Sequence, residues 1–420
     1  MRTNKNHWPS ILILFVFAVS VLGLIFITFG LGVSSLIDLF SNKDDPAGQM
    51  ISAVAFGFEL IILLACSWFV FQKTRGHEQA DLPFKFPYSE WQIFAVIGIG
   101  IFAIAIGAGI ALTEIKWLTW IFLPILTLLV IVPPIWLLFG IGTKGIELGP
   151  RWRIFSVLGI GLTIGPVLMI VMELVVLLGI AIISTVIIAI QQPVLFKELT
   201  NLSKIIQQET DQIMILKLLA PYIGKPIVIA SILGYIALIV PLIEELFKPL
   251  AVWVFALKIE TPAQGFAMGM LSGAAFALIE SLNASGDGSS NWPIIVSVRA
   301  GTSLLHMTTS GLVGWGIVSA FREKKIMRFA AAYLSAVSLH GIWNACAIGA
   351  GISSIGEFIG KPEWIFNVIP AALCGMSVLG IGMFVVLIAS NRKLRNTPAS
   401  LPLSSPTPQI KITEDQEGVK

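Results

Sequence analysis

The chain has 420 residues, of which 56% are hydrophobic and only 12% charged, and its formal net charge is +3. Globular domains carry about 25% charged residues, so this composition excludes an ordinary soluble protein. The small net charge gives no indication of a nucleic-acid partner, and the isolated cysteines form no CxxC pair that would predict a thiolate zinc site.

The first 225 residues predict an N-terminal membrane region, because apolar runs of about 20 residues match the hydrocarbon core of a bilayer. Five such runs cover residues 11–32, 50–71, 91–112, 117–140 and 155–190. The fourth contains Pro133 and Pro134, which predict a kink or a break. The fifth is too long for one straight span, so we expect it to be tilted, broken or extended. Residues 191–225 have apolar positions at helical spacing and predict an amphipathic extracytoplasmic segment.

Residues 226–390 predict a second membrane region, with five further spans at 226–257, 264–282, 294–321, 329–349 and 365–390. Most of the 27 basic residues fall on the side of the N-terminus, which places both termini in the cytoplasm by the positive-inside rule. Residues 391–420 predict a disordered cytoplasmic tail. We therefore expect an all-α, polytopic transmembrane helix bundle of about ten spans in the lipid bilayer of a cell membrane.

Ionisable residues within the second membrane region are the main functional signal, because burying each one in lipid costs about 3 kcal/mol. Four successive spans carry polar groups: Glu244, Glu245 and Lys248, then Glu280, then Arg299 and His306, then His340 and Asn344. Glu244 and Lys248 are four residues apart and share a helix face. Pro241 and Pro249 bracket the first group, so we expect local helix distortion there.

Two neutral imidazoles and one carboxylate make the ligand set of a catalytic zinc site, which leaves a fourth position for water. His306, His340 and Glu280 supply such a set. A further carboxylate, from Glu244 or Glu245, is suited to take the proton of that water as a general base.

A purely structural role is the competing interpretation of these residues. A single histidine in a membrane span is more often an interhelical hydrogen-bond partner than a metal ligand. Arg299 could simply neutralise Glu280, and Lys248 could neutralise Glu244. The combination of three carboxylates with two histidines favours a functional site, because uncompensated placement of so many ionisable groups is costly.

Four motifs in this region resemble those of the PrsW family of intramembrane metalloproteases. They are the EExxK pattern of Glu244–Lys248, the FxxxE pattern of Phe276–Glu280, the stretch Arg299–His306 and the HxxxN pattern of His340–Asn344. The family is similar in turn to the CAAX-prenyl endopeptidases. The resemblance implies metal-dependent hydrolysis of peptide bonds in membrane protein substrates, such as an anti-sigma factor in a bacterial inner or plasma membrane.

The residue types and the resemblance together predict a role for each member of the cluster. Glu244 is the predicted general base, and Glu245 supports it. The predicted ligands of a divalent metal, expected to be Zn²⁺, are Glu280, His306 and His340. The position of Glu280 nearer the outer end of its span leaves open the alternative that it only contacts a ligand. Asn344 is predicted to orient a ligand or to stabilise an oxyanion. The supporting residues are Lys248, Phe276 and Arg299.

The competing hypothesis is a membrane protein without proteolytic activity. It would be a proton- or ion-coupled transporter that uses the same polar stripes as a relay, or a membrane scaffold similar to relatives of the CAAX-prenyl endopeptidases. Bound divalent metal with His and Glu ligands would favour the protease over both. Proton-coupled flux that a chelator leaves unchanged would favour the relay.

Overall fold

The computed structural model describes residues 8–41, 45–286, 291–355 and 367–396, apart from a few side chains within its helices. Over these ranges the secondary structure is helical and contains no β-strand. Nine segments of the described chain are long and apolar enough to cross a membrane. The predicted all-α polytopic bundle is therefore confirmed.

The N-terminal region begins with four long helices: α1 (Trp8–Ser41), α2 (Pro46–Thr74), α3 (Gln92–Leu112) and α4 (Lys116–Thr143). α4 continues through Pro124, Pro133 and Pro134, so the break that we considered for this span is not present. A continuous helix is favoured because main-chain groups released by a full break have no water to bind in the bilayer.

The fifth apolar run is broken into two helices, α5 (Arg151–Leu162) and α6 (Ile164–Gln191). Thr163 between them has φ −124° and ψ −82°, which is not helical. Pro166 contributes to the break, because it lacks the amide that would bond to the carbonyl of Leu162. Of the three possibilities for this run, the structure shows the broken one.

The polar segment that follows forms two helices, α7 (Pro193–Ile206) and α8 (Gln212–Ile223), instead of one. Between them the carboxylate of Glu209 accepts hydrogen bonds from the amides of Thr210 and Asp211, at 2.9 and 3.0 Å. This local bonding competes with helix continuation. α7 has no buried residue, as expected of an amphipathic helix outside the bundle.

The second region contains α9 (Pro226–Gly234), a π-helical turn (Tyr235–Ile239), α10 (Val240–Phe247), α11 (Leu250–Phe255), α12 (Pro262–Ala284), α13 (Trp292–Glu323), α14 (Ile326–Ile355) and α15 (Val368–Arg395). α14 corresponds to the predicted span at 329–349. It has 30 residues but is not among the nine apolar segments of the described chain.

Helix α15 extends into the predicted tail, so residues 391–395 are helical. The amide of Asn391 donates to the carbonyls of Gly142 and Lys144, both at 2.9 Å, and this contact with the end of α4 explains why the helix continues. Residues 397–420 of the predicted tail lie outside the described ranges.

Helices α12 and α13 pack with their main chains close together at the centre of the bundle. In α12, 89% of the residues in the most apolar stretch of the helix are buried. A Cβ atom at Gly269 or Gly273 would overlap the carbonyl oxygen of Ser310 or His306. Small residues allow this approach in membrane proteins, and it brings the main chain of His306 directly onto α12.

We expect Gly273→Val to destabilise the protein by about 3 kcal/mol, because overpacking against a rigid main chain has costs of this order. Thermal unfolding in detergent would measure the effect. Gly98→Val is the matched control, since nothing lies within 4 Å of a Cβ at Gly98. Equal shifts for the two variants would contradict the importance of this contact.

Candidate functional site

The motif carboxylates lie on α10, a helix of only eight residues between two irregular turns. The π-helical turn precedes Pro241, and Pro249 follows the last helical residues. Proline supplies no amide donor to the helix, so the distortion predicted at both prolines is present. α10 is thus a short, separately oriented piece of a membrane-spanning helix.

The ammonium of Lys248 occupies the centre of the site. Its Nζ atom is 2.8 Å from Glu244 Oε2 and 2.9 Å from Glu245 Oε1. It also lies 2.8 Å from His306 Nδ1 and 3.4 Å from His340 Nδ1. The side chain is fully buried. A buried ammonium requires such partners, because an unpaired charge in an apolar interior is strongly unfavourable.

The two motif carboxylates differ in what they face. Glu244 lines the cavity of the site, and 12% of its side chain is exposed. Glu245 is completely buried, and its Oε1 atom lies 2.8 Å from His340 Nδ1. Its Oε2 atom has no hydrogen-bond partner among the described residues. Only Glu244 is therefore in a position to meet a molecule in the cavity.

His340 Nδ1 is held by Glu245, and its other nitrogen faces the cavity side. Nε2 lies 3.8 Å from Glu244 Oε2, and the imidazole ring is 5.5 Å from the ring of His306 between centroids. A carboxylate on one ring nitrogen orients the imidazole and leaves the other nitrogen for a ligand.

His306 connects the buried half of the site to a partly exposed ion pair. Its Nε2 atom is 2.6 Å from Glu280 Oε2, and Glu280 Oε1 is 2.8 Å from Arg299. One third of the Glu280 side chain is exposed. Phe276 packs edge-on against His306 at 5.0 Å and lies 4.6 Å from the Lys248 ammonium.

Three side chains form a group with the spacing of a metal site. One ligand atom each from Glu244, His306 and His340 lies within 4.8 Å of the other two. Ligand atoms of a tetrahedral zinc site, with bonds of about 2.1 Å, lie about 3.4 Å apart, so a small contraction would suffice. The donors fit a divalent metal in kind and spacing, and the ammonium of Lys248 already lies among them as a cation.

The predicted ligand Glu280 is not in this group of three, although it contacts His306 directly. Asn344 donates its amide to the main-chain carbonyl of Ile236 at 3.0 Å. The structure thus gathers all nine predicted site residues around one place. It pairs them differently from the prediction, in which Glu280 joins the two histidines.

The site opens into a cavity of about 430 Å³ between the π-helical turn, α10, α12, α13 and α14. Its polar lining comes from Glu244, Glu280, Arg299, Thr302, His306, His340 and Asn344. Most of its other lining residues are apolar, and they include Ile236, Ile294 and Trp343. Such a cavity suits an apolar chain segment that has a polar group at one point.

Two side chains that contact the motif segment were not predicted. Tyr333 donates its hydroxyl hydrogen to the carbonyl of Leu242 at 2.7 Å, and Ser272 donates to the carbonyl of Lys248 at 2.5 Å. Neither belongs to a recognisable sequence pattern. Their roles depend on which carbonyls of the motif segment face α12 and α14, and that is visible only in three dimensions.

Comparison with known proteins identifies a matching family. The family model described as PrsW family intramembrane metalloprotease matches residues 165–369. This confirms the resemblance and extends it from the four motifs back to the beginning of α6. No curated protein and no solved structure matches the chain.

Proposed function

We propose that this protein, whose residues 165–369 match the PrsW family, is a metal-dependent intramembrane endopeptidase. The observation that carries the proposal is the placement of Glu244, His306 and His340 within 4.8 Å of one another. They lie beside a cavity in a bundle of apolar helices. Ionisable side chains in membrane spans are costly to bury, so a group of this kind indicates a function.

His306 and His340 are the proposed nitrogen ligands, and a carboxylate completes the set. When bound, a divalent metal such as Zn²⁺ would supply Lewis acidity toward a water molecule and a peptide carbonyl. Glu245 holds His340 through Nδ1, and Phe276 packs against the ring of His306. Both contacts would keep the imidazoles in place during the reaction.

Glu244 is the proposed proton acceptor, because it is the motif carboxylate that lines the cavity. Glu280 is the proposed carboxylate ligand, because it lies beside His306 and lines the same cavity. The spacing of Glu244 to both histidines also permits the two glutamates to exchange these roles. Metal analysis of Glu244 variants separates the two assignments.

The substrate that we propose is a membrane-associated protein, in keeping with the apolar lining of the cavity and with the family match. A regulatory protein of the anti-sigma-factor kind in a bacterial plasma membrane would fit the resemblance. The distribution of basic residues supports an orientation with both termini in the cytoplasm.

Metal content is the direct test of the proposed centre. We expect purified protein to contain one divalent metal ion per chain, and His306→Ala to lose it, because a site with two remaining ligands binds metal far more weakly. Elemental analysis would measure both. His77→Ala is the matched control, since His77 lies in an exposed loop. Equal metal content in wild type and His306→Ala would contradict the proposal.

A second candidate function rests on the continuity of the polar contacts. Glu244, Lys248, His306, Glu280 and Arg299 form an unbroken chain of ion pairs and hydrogen-bond contacts of 2.8 Å or less. Such a chain suits a proton relay. Proton flux into vesicles that persists with a chelator and stops in Glu280→Gln would favour the relay over the protease.

A further inference from the structure

The helix that carries the motif changes its hydrogen-bond register immediately before Pro241. The amide of Val240 donates to the carbonyl of Tyr235, five residues back. In this register the next donor would be the amide of residue 241, but proline has none. The carbonyl of Ile236 is therefore left without a main-chain partner, and a buried carbonyl requires another donor.

A side chain from α14 replaces the missing donor. Asn344 Nδ2 donates to the Ile236 carbonyl at 3.0 Å. In α-helical register, the amide of residue 241 would donate to the carbonyl of Ala237. A Cβ atom at Gly341 would overlap the oxygen of this Ala237 carbonyl. The stretch His340–Asn344 thus packs directly against the main chain that precedes Pro241.

At the second break, at Pro249, α12 supplies the side chain that replaces a missing donor. The amides of Val252 and Trp253 both donate to the carbonyl of Pro249, at 2.8 and 3.2 Å. The carbonyl of Lys248 consequently loses its α-helical donor, which would be Val252. The buried hydroxyl of Ser272 donates to this carbonyl at 2.5 Å.

The two capping side chains come from helices that carry other parts of the site. Asn344 lies one turn after His340 on α14, and Ser272 lies about two turns before Glu280 on α12. Tyr333 of α14 also contacts the beginning of α10, at the carbonyl of Leu242. The orientation of α10 is therefore fixed by the same two helices that supply its chemical partners.

We infer that Asn344 and Ser272 are positioning residues, which cap the two proline breaks and thereby fix the orientation of α10 so that Glu244 faces the cavity. This role concerns the main chain and does not depend on the reaction that the site performs. It differs from a role of Asn344 at an oxyanion, in which the amide would be directed to a substrate.

A double-mutant cycle between Asn344 and Pro241 tests the inference. We expect Asn344→Ala to accelerate hydrogen–deuterium exchange in peptides that span residues 235–248 by about tenfold, as for an unsatisfied buried carbonyl. Pro241→Ala restores a main-chain donor. In that background, Asn344→Ala should change exchange by less than about twofold, since the two effects are coupled.

Matched controls separate this role from general destabilisation. Asn391→Ala removes a buried amide that caps carbonyls elsewhere, at the end of α4, and should leave exchange at 235–248 unchanged. Ser272→Ala should accelerate exchange at residues 248–255. Ser156→Ala should not, because that equally buried hydroxyl bonds within its own helix, to the carbonyl of Trp152.

The exchange measurement needs no substrate, so it stands if the proposed proteolysis fails. If the protein cleaves a membrane substrate, we expect Asn344→Ala to lower kcat with KM unchanged, and less so in the Pro241→Ala background. The inference is overturned if Asn344→Ala leaves exchange unchanged. It is also overturned if the variant has the same effect with and without Pro241, and loss of cleavage with unchanged exchange would support the oxyanion role instead.

Discussion

Replacing Glu244 by Gln is expected to lower the rate of substrate cleavage by about 10³-fold, which is within the range that a general base contributes. The amide keeps the shape of the side chain but cannot accept the proton. Of the two motif glutamates, this one lines the cavity, whereas Glu245 is completely buried. The measurement is cleavage of a membrane protein substrate by purified enzyme in detergent or liposomes.

The matched control for this variant is Glu59→Gln. Glu59 is also a buried glutamate in a membrane span, but it accepts a hydrogen bond from Asn283 in another part of the bundle. Cleavage should persist in the control. If the inactive Glu244→Gln variant retains metal, Glu244 is the proton acceptor. If the variant loses metal, Glu244 is a ligand. Intact cleavage in Glu244→Gln would contradict both assignments.

Replacing Lys248 by Met is expected to destabilise the metal-free protein by about 3–5 kcal/mol, the cost of removing one partner from a buried ion pair. Glu244 and Glu245 would then remain buried without the ammonium that lies 2.8 and 2.9 Å from them. Added Zn²⁺ should restore much of the stability, because the donors that surround the ammonium can bind the metal. Thermal unfolding in detergent, with and without Zn²⁺, would measure both effects.

Lys144→Met is the control for this second experiment. Lys144 is paired with Glu90 at 2.6 Å, but both side chains are exposed. Exposed ion pairs contribute about 0–1 kcal/mol. A loss of stability in Lys248→Met no larger than in this control would show that the ammonium does not balance the buried carboxylates. Absence of any Zn²⁺ effect would contradict the proposed donor set.

Much of the architecture could be predicted because the bilayer restricts the possible structures. Apolar runs of membrane length have to be helical, since lipid offers no partner to the main chain. The polar cluster could be predicted for the same reason. Residues such as His306 and Glu280 stand out in apolar spans, and the structure brings them to one cavity.

The pairing of these residues could not be predicted, because it depends on small rotations of the helices. Lys248 shares a helix face with Glu244, which predicts one ion pair. Its additional contacts with His306 and His340 require that α10 turn toward α13 and α14. That turn follows from the two proline breaks, and residues such as Ser272 gain a role only after the breaks have released particular carbonyls.

The close contact between α12 and α13 determines how a polypeptide can reach the site. Where Gly269 and Gly273 face Ser310 and His306, the main chains nearly touch, and nothing can pass between them. Toward Ala284 and Ile294 the same two helices border the cavity. The wall of the site that α12 and α13 form is therefore closed at the depth of His306 and opens only toward Ala284 and Ile294. The proposed protein substrate would have to approach His306 from that end of the two helices, or from the sides that the π-helical turn, α10 and α14 border.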